Sequence, residues 1–327
     1  MSYSRRDFLR MSSFLALATA LPTRSLLSKS RVLTPENFTE IRRNVGYFTG
    51  RGGTIGWMVN REGAVAVDSQ FPDSASDCLR GLEQLIAGQV SGMDASPRTQ
   101  PEQSAQITDL MVDVLFNTHH HGDHTGGNGT FRPQTERIVA HSNVPDLQRR
   151  QAQMRGGEDE NTYADTTFDE SWSVAIGDET INARHYGPAH TGGDSAIHFE
   201  QANVVHMGDL VFNGVYPFID QGGGANITNW ITLLETVAQN HEADTRYIFG
   251  HGNPARGITG NREDVLAKRD YLAALMDHVL ISLQAGMSLE ETRSITSLPG
   301  FEDFVSFGPR LSLAANLEAA WNELSAQ

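Results

Sequence analysis

One segment constrains this chain more than any other, because four histidines and an aspartate follow a buried-type strand within a few residues. The strand is predicted over residues 110–116, and residues 117–128 read NTHHHGDHTGGN. The glycines allow a turn tight enough for several side chains to converge. Neutral imidazole is the commonest metal ligand, and imidazole with carboxylate but no thiolate favours zinc, iron or manganese over softer metals. The segment therefore predicts a metal site beyond the end of a strand.

The hydrophobic pattern places strands in two runs, each followed by helices. Period-two or continuous apolar runs predict strands at residues 44–48, 54–59, 64–68, 110–116 and 137–141, and again at 172–174, 180–186, 195–199, 203–207 and 247–249. Helical spacing predicts helices from residue 72 and over residues 145–155, 229–240, 262–285 and 311–324. Residues 91–106 are expected to be a surface insertion, and residues 156–169 a loop on the active face. This order predicts an α+β fold of two sheets between helical layers.

The N-terminus is interpreted as a targeting segment. Ser4-Arg5-Arg6-Asp7-Phe8-Leu9-Arg10 precedes a modestly apolar run and resembles a twin-arginine export signal. The run is far shorter than the ~20 residues of a membrane span, so no stable membrane anchor is expected. We expect residues 1–30 to be signal peptide and linker and residues 31–327 to be a single catalytic domain. The twin-arginine machinery would then be a partner, and the protein periplasmic or secreted.

Charge and cysteine content exclude two classes of site. The formal net charge is -15, which argues against a nucleic-acid partner, because phosphate binding needs clustered lysine and arginine. Cys78 is the only cysteine, so the chain offers neither an internal disulfide nor a thiolate metal cluster. We expect Cys78 to pack within a helix.

Four further motifs extend the histidine-rich segment into a recognisable pattern. His119-x-His121-x-Asp123-His124 resembles the metal motif of the metallo-β-lactamase superfamily. Residues 187–195, 206–210 and 249–252 are similar to the family's later motifs and supply His190, Asp209 and His251. Asp68, at the end of an early strand, resembles the family's first acidic position, which lies behind the ligands. The resemblance covers nearly the whole chain from about residue 44 and implies the four-layer αβ/βα sandwich of that family.

The resemblance also implies a ligand set and a chemistry. One divalent ion would be bound by His119, His121 and His190, and a second by Asp123, His124 and His251, with Asp209 bridging them. Zinc is the first expectation, with iron or manganese as alternatives. A hydroxide shared by two such ions is a nucleophile near neutral pH. Asp123 would orient it for attack on an ester, thioester, lactone or amide carbonyl of a small molecule.

Two positions separate this chain from the thiolate-type lactamases. Those enzymes carry cysteine where this chain has Asp209, whereas glyoxalase II-like members carry aspartate. Phe212 stands where they tend to carry a lysine for the substrate carboxylate. A periplasmic metallo-β-lactamase remains the first alternative, and a non-catalytic metal-binding module that kept the fold is the second. All seven ligand positions are filled, which disfavours the second. The oligomeric state is left open.

The remaining polar and aromatic candidates carry weaker signals. His120 lies between ligands and is expected to point away from them. Ligand spacing is missing at the other histidines, which are expected to be packed or solvated: His141, His185, His198, His206, His241 and His278. Four residues after Asp209 either line the pocket or pack within a loop, and their pattern does not decide between these roles: Asn213, Tyr216, Phe218 and Asn226.

Overall fold

A seven-stranded mixed sheet forms the first half of the fold. The computed structural model describes residues 35–91, 111–156 and 159–326. The strands lie in chain order: β1 (Phe38–Arg42), β2 (Val45–Phe48), β3 (Ile55–Val59), β4 (Ala64–Val67), β5 (Val112–Asn117), β6 (Thr135–His141) and β7 (Thr166–Phe168). The first four are antiparallel neighbours, and β4 to β7 are parallel. The expected signal segment and nearly all of the expected insertion lie outside the described residues, so the boundary after residue 30 stays a prediction.

A second mixed sheet of six strands follows. Its members are β8 (Ser171–Ile176), β9 (Glu179–Arg184), β10 (Ala196–Phe199), β11 (Val204–His206), β13 (Arg246–Ile248) and β15 (Thr259–Gly260), in the order β15-β13-β11-β10-β9-β8. Only β11 and β13 are parallel neighbours in this sheet. Two short strands, β12 (Phe212–Asn213) and β14 (His251–Gly252), pair in parallel beside it.

Helices flank the two sheets. They are α1 (Pro72–Ser91), α2 (Gly122–Thr125), α3 (Asn128–Phe131), α4 (Asn143–Arg155), α5 (Ile227–Asn240), α6 (Arg262–Gln284), α7 (Leu289–Thr292) and α8 (Leu313–Ser325). None of the described helices is long and apolar enough to span a membrane.

Side-chain alternation separates the layers. In β4, Val65 and Val67 join the core between the two sheets, whereas Ala64 and Ala66 face the core under α1. In the second sheet Val204 points inward and Val205 points to α5 and α6. Successive strand residues point to opposite faces, so strands that are apolar throughout can bury both faces. The predicted sandwich of two mixed sheets between helical layers is confirmed.

The structure corrects several boundaries. Residues 156–169 were expected to be a loop, but Thr166–Phe168 forms β7 because an open parallel edge at β6 pairs with it. The C-terminal helix begins at Leu313 after the cap Ser312 instead of at residue 311. β1 was not predicted, since its Thr39, Glu40 and Arg42 give it little apolar character. Cys78 is free and buried in α1, as expected.

Candidate metal centre

All seven residues that the resemblance selected converge beside the two sheets. Each follows a strand: the first four lie in the turn after β5, and His190, Asp209 and His251 follow β9, β11 and β13. Their metal-binding atoms form two groups, and within each group these atoms all lie within 4.8 Å of one another. The first group is His119, His121, His190 and Asp209. The second group is Asp123, His124 and His251. This convergence agrees with the ligand set that the resemblance implied.

Three imidazoles define the first group. His121 Nδ1 lies 3.0 Å from His119 Nε2 and 3.0 Å from His190 Nε2. All three side chains are nearly inaccessible to solvent. Three ring nitrogens therefore face one small volume.

The second group is more open. His251 Nε2 lies 3.1 Å from Asp123 Oδ2 and 3.5 Å from His124 Nε2. The Asp123 side chain is 31% exposed, whereas that of His124 is fully buried. Asp123 is therefore the most accessible carboxylate of the centre.

Asp209 lies between the groups and turns one oxygen to each. Its Oδ2 is 3.8 Å from His119 Nε2 and 3.5 Å from His190 Nε2. Its Oδ1 is 3.1 Å from His124 Nε2 and 3.4 Å from His251 Nε2. A single carboxylate is thus placed to be shared by two cations.

Asp68 organises both groups from behind. Its Oδ2 is 2.7 Å from His124 Nδ1 and accepts a hydrogen bond from Thr118 Oγ1 at 2.8 Å. Thr118 Oγ1 in turn lies 3.0 Å from His119 Nδ1 and can accept a hydrogen bond from it. Asp68 is fully buried and has a left-handed backbone, with φ of 65°. Such partners fix the tautomer and orientation of metal-binding imidazoles, which agrees with the role that the resemblance implied for Asp68.

Two other groups are hydrogen-bond partners of the histidines in the first group. The carbonyl oxygen of Phe218 lies 2.7 Å from His190 Nδ1. Asp220 Oδ2 lies 2.9 Å from His121 Nε2, and Gly223 donates its backbone N–H to Asp220 Oδ1. Sequence reasoning missed Asp220, because no motif connects it to a histidine 99 positions away.

The donor set fits divalent cations. Acceptors face the outer nitrogens of His119, His121 and His190, so their inner nitrogens are left as lone pairs directed at one another. Asp209 Oδ1 is buried without a hydrogen-bond partner of suitable geometry, although His124 Nε2 is near. A buried orphan oxygen and converging lone pairs are costly unless a cation lies between them.

Electrostatics support the same assignment. Burial lowers the pKa of His119 and lowers that of His190 to about 3, so both are neutral and able to bind a metal. Burial also lowers the pKa of His251, but the carboxylates of Asp209 and Asp123 outweigh it and raise the value to about 9. The acidic part of the centre therefore attracts positive charge, and a bound cation would take the place of that proton.

Close backbone packing around the centre explains two glycines. Gly208 has a φ of 50°, and a Cβ built there would lie 2.6 Å from Thr118 Oγ1. A Cβ at Gly250 would lie 2.0 Å from Asp209 Oδ1. Larger residues at either position would displace the shared carboxylate or the support of His119.

A cavity of about 730 Å³ opens above the centre. His121, Asp123, Asp209 and His251 form its polar floor, and Phe212 and Phe218 contribute apolar wall. The rim comes from α4 and from the segment before α8: Gln151, Met154, Arg155, Phe307, Arg310 and Leu311. Both rim segments were missed as site elements, because neither contains a motif.

The structure distinguishes the roles of the four residues after Asp209 that the sequence left undecided. Phe218 lines the cavity. Asn213 donates to the carbonyl of Gly257, and Asn226 caps α5 by accepting from Asn229 N. Tyr216 is buried against aromatic rings. These three residues therefore shape the loop instead of lining the cavity.

The other histidines lie outside the two groups. His120 Nε2 lies 3.4 Å from Asp220 Oδ2 and 3.0 Å from Gln151 Nε2, in a neighbouring cavity. His206 is fully buried and bonds the backbone of Thr54 and Gly208. His141 and His185 stack on each other at 3.8 Å. His141, His185 and His206 were expected to be packed or solvated, and the structure shows them packed. His120 contacts the carboxylate that supports His121.

Comparison with known proteins places these residues in a family. The sequence profile described as "Metallo-beta-lactamase superfamily" matches residues 73–281. This range includes every residue of the two groups.

Three similar proteins illustrate the range of the family. The hydroxyacylglutathione hydrolase of Nitrosococcus oceani is 28% identical over 183 residues, 54% of this chain and 64% of that protein. The 2,4-dinitroanisole O-demethylase subunit alpha of Nocardioides sp. is 29% identical over 103 residues, 32% of this chain and 30% of that protein. This chain thus matches less than two thirds of the length of either relative. The solved sec-alkylsulfatase Pisa1 of Pseudomonas sp. shares the fold, with a TM-score of 0.60 and 14% identity over 88% of this chain and 50% of that one.

Proposed function

The chain belongs to the metallo-beta-lactamase superfamily, and we propose that it is a metal-dependent hydrolase that opens an ester, thioester, lactone or amide bond of a small molecule. One observation carries the proposal. Seven donor side chains meet in two groups, joined by the Asp209 carboxylate, at the floor of a cavity of about 730 Å³. Pockets of that size suit small molecules.

We propose that each group holds one divalent ion, zinc in the first place. His119, His121 and His190 would bind one ion, Asp123, His124 and His251 the other, and Asp209 both. When bound, such ions polarise a carbonyl oxygen and bring the pKa of coordinated water close to neutrality. Seven ligands are too many for one tetrahedral site, which supports two ions.

The protein side chains position the reaction. Asp68, Thr118 and Asp220 hold the imidazoles in one tautomer, so the ligand lone pairs need no rearrangement. Asp123 is the accessible carboxylate on the cavity floor, and we assign to it the orientation of the attacking water. In the net reaction the water oxygen bonds to the carbonyl carbon, the bond to the leaving group breaks, and the leaving group departs with a proton.

A substrate panel tests this function. Zinc-loaded protein should hydrolyse at least one of a 4-nitrophenyl ester, an S-acyl glutathione thioester, a lactone and an anilide, and chelation should abolish the activity. The names of the two relatives add the thioester and 2,4-dinitroanisole to the panel. If no compound reacts with protein that binds zinc, the hydrolase proposal fails and the non-catalytic metal-binding module takes its place.

β-Lactams are the less favoured substrates. Phe212 is almost completely buried and stacks on His251, with ring centroids 5.2 Å apart. Lys268 Nζ lies 5.3 Å from the Phe212 ring but is buried and does not line the cavity. A β-lactam carboxylate would therefore lack a lysine beside the Asp209 loop. A chromogenic cephalosporin in the panel tests this point.

We also propose export to the periplasm or beyond by the twin-arginine machinery. The basis is the Arg5-Arg6 pair before a short apolar run. Replacing both Arg5 and Arg6 by lysine should keep the folded protein in the cytoplasm, as measured by cell fractionation. The matched control is Arg10→Lys, which should be exported normally. Periplasmic accumulation of the double variant would contradict the proposal.

A further inference from the structure

Two arginines at the cavity rim have no carboxylate partner among the described residues. Arginines elsewhere commonly pair, as Arg51 does with Asp73 at 2.8 Å and Arg293 with Glu318 at 3.0 Å. Arg155 ends α4 and donates only to the Gln151 carbonyl at 3.4 Å, and Arg310 makes no ion pair with a described residue. Two such cations thus lie at the mouth of one cavity in a chain of net charge -15.

The same rim exposes large apolar side chains. Met154 is 77% exposed and Phe307 is 54% exposed, and both line the cavity. Leu311 and Phe218 continue this apolar wall toward the floor. Exposed apolar surface beside a pocket typically marks a binding site.

The segment that carries Phe307 and Arg310 is fixed to the site loop. Val305 N donates to the carbonyl of Gly214 at 3.1 Å, and Tyr216 N donates to the carbonyl of Val305 at 3.1 Å. The rim and the loop that follows Asp209 therefore form one wall, and the distance from the metal groups to the rim is set by the fold.

We propose that the substrate is an amphiphilic anion, namely an ester or thioester with an apolar segment that ends in a carboxylate. Its reactive carbonyl lies at the floor, its apolar segment packs against Phe307 and Leu311, and Arg155 and Arg310 bind its terminal carboxylate. This inference rests on the proposed hydrolase function and narrows its substrate class. Guanidinium groups suit it because they donate paired hydrogen bonds to carboxylates.

Pairs of esters that differ only in their terminal charge test whether the cavity binds a carboxylate. Mono-4-nitrophenyl succinate, adipate and suberate carry a free terminal carboxylate, and their methyl-capped forms have the same chain without the charge. We expect one chain length to show about a tenfold higher kcat/KM for the free acid than for its capped form, which is about 1.4 kcal/mol. Raising the ionic strength should shrink that ratio, since exposed charges are screened.

Single and double variants test which rim residues bind the carboxylate and the apolar segment. The double variant R155Q/R310Q should bring the ratio close to one, and each single variant should lower it in part. Phe307→Ser should weaken the rise of kcat/KM with chain length among the capped esters. Arg61→Gln, an exposed arginine between β3 and β4, is the matched control and should leave the ratio unchanged.

The outcomes separate the two proposals. If no probe and no compound of the panel is hydrolysed, the proposed function fails. If the capped and free esters of every length react equally well, the hydrolase stands but the anionic substrate class is wrong. A preference that survives in R155Q/R310Q also overturns this inference, because another group would then bind the charge.

Discussion

Replacing Asp209 by asparagine should lower kcat/KM by at least about a hundredfold. Loss of an outer partner of a metal ligand typically costs 10–100-fold, and Asp209 lies between both donor groups with one oxygen toward each. The amide keeps the size of the side chain but removes the negative charge that offsets repulsion between two cations. The NH₂ group of the asparagine would also lie next to a histidine ring nitrogen, in the place of a carboxylate oxygen. One ion should therefore bind much more weakly.

Turnover of the best ester and metal content after dialysis measure this effect. The control is Asp244→Asn, which makes the same chemical change at an exposed carboxylate away from the centre. Thermal unfolding of both variants shows whether the fold is intact. An Asp209→Asn protein with wild-type turnover and unchanged metal content would place the shared carboxylate elsewhere.

The resemblance to a known family implied that the seven ligand residues converge, because its motifs follow strand ends. His119, His190 and Asp209 are far apart in the chain, yet each follows a predicted strand, and the sandwich of two sheets brings these strand ends together. The continuous apolar run of β4 likewise predicted a buried strand, and all four of its residues are buried. The strands could be predicted because local periodicity is readable from the residues, whereas the ligand set was implied by the family resemblance.

Other parts of the centre depend on contacts that no local pattern encodes. Asp220 supports His121 only because the loop after β12 passes under the turn after β5. Arg310 reaches the rim because residue 305 pairs with the backbone beside residue 215. β7 forms because β6 offers an open edge, and its own three residues carry too little periodicity to predict it.

Removal of the metal should abolish hydrolysis and lower the stability of the fold. Without cations the lone pairs of His119, His121 and His190 face one another beside the buried carboxylate of Asp209. A ligand that binds only the native state stabilises it by about 4 kcal/mol at a thousandfold excess over its Kd. Chelated protein should therefore unfold at a lower temperature, and zinc should restore both properties.

The two-ion account is tested most directly by a titration of metal-free protein with zinc. Bound zinc and the rate of hydrolysis are measured at each step of the titration. The account predicts that bound zinc reaches two ions per chain and that full turnover appears only as the second ion binds. Full turnover at one bound ion per chain, or turnover that persists in metal-free protein, would contradict it.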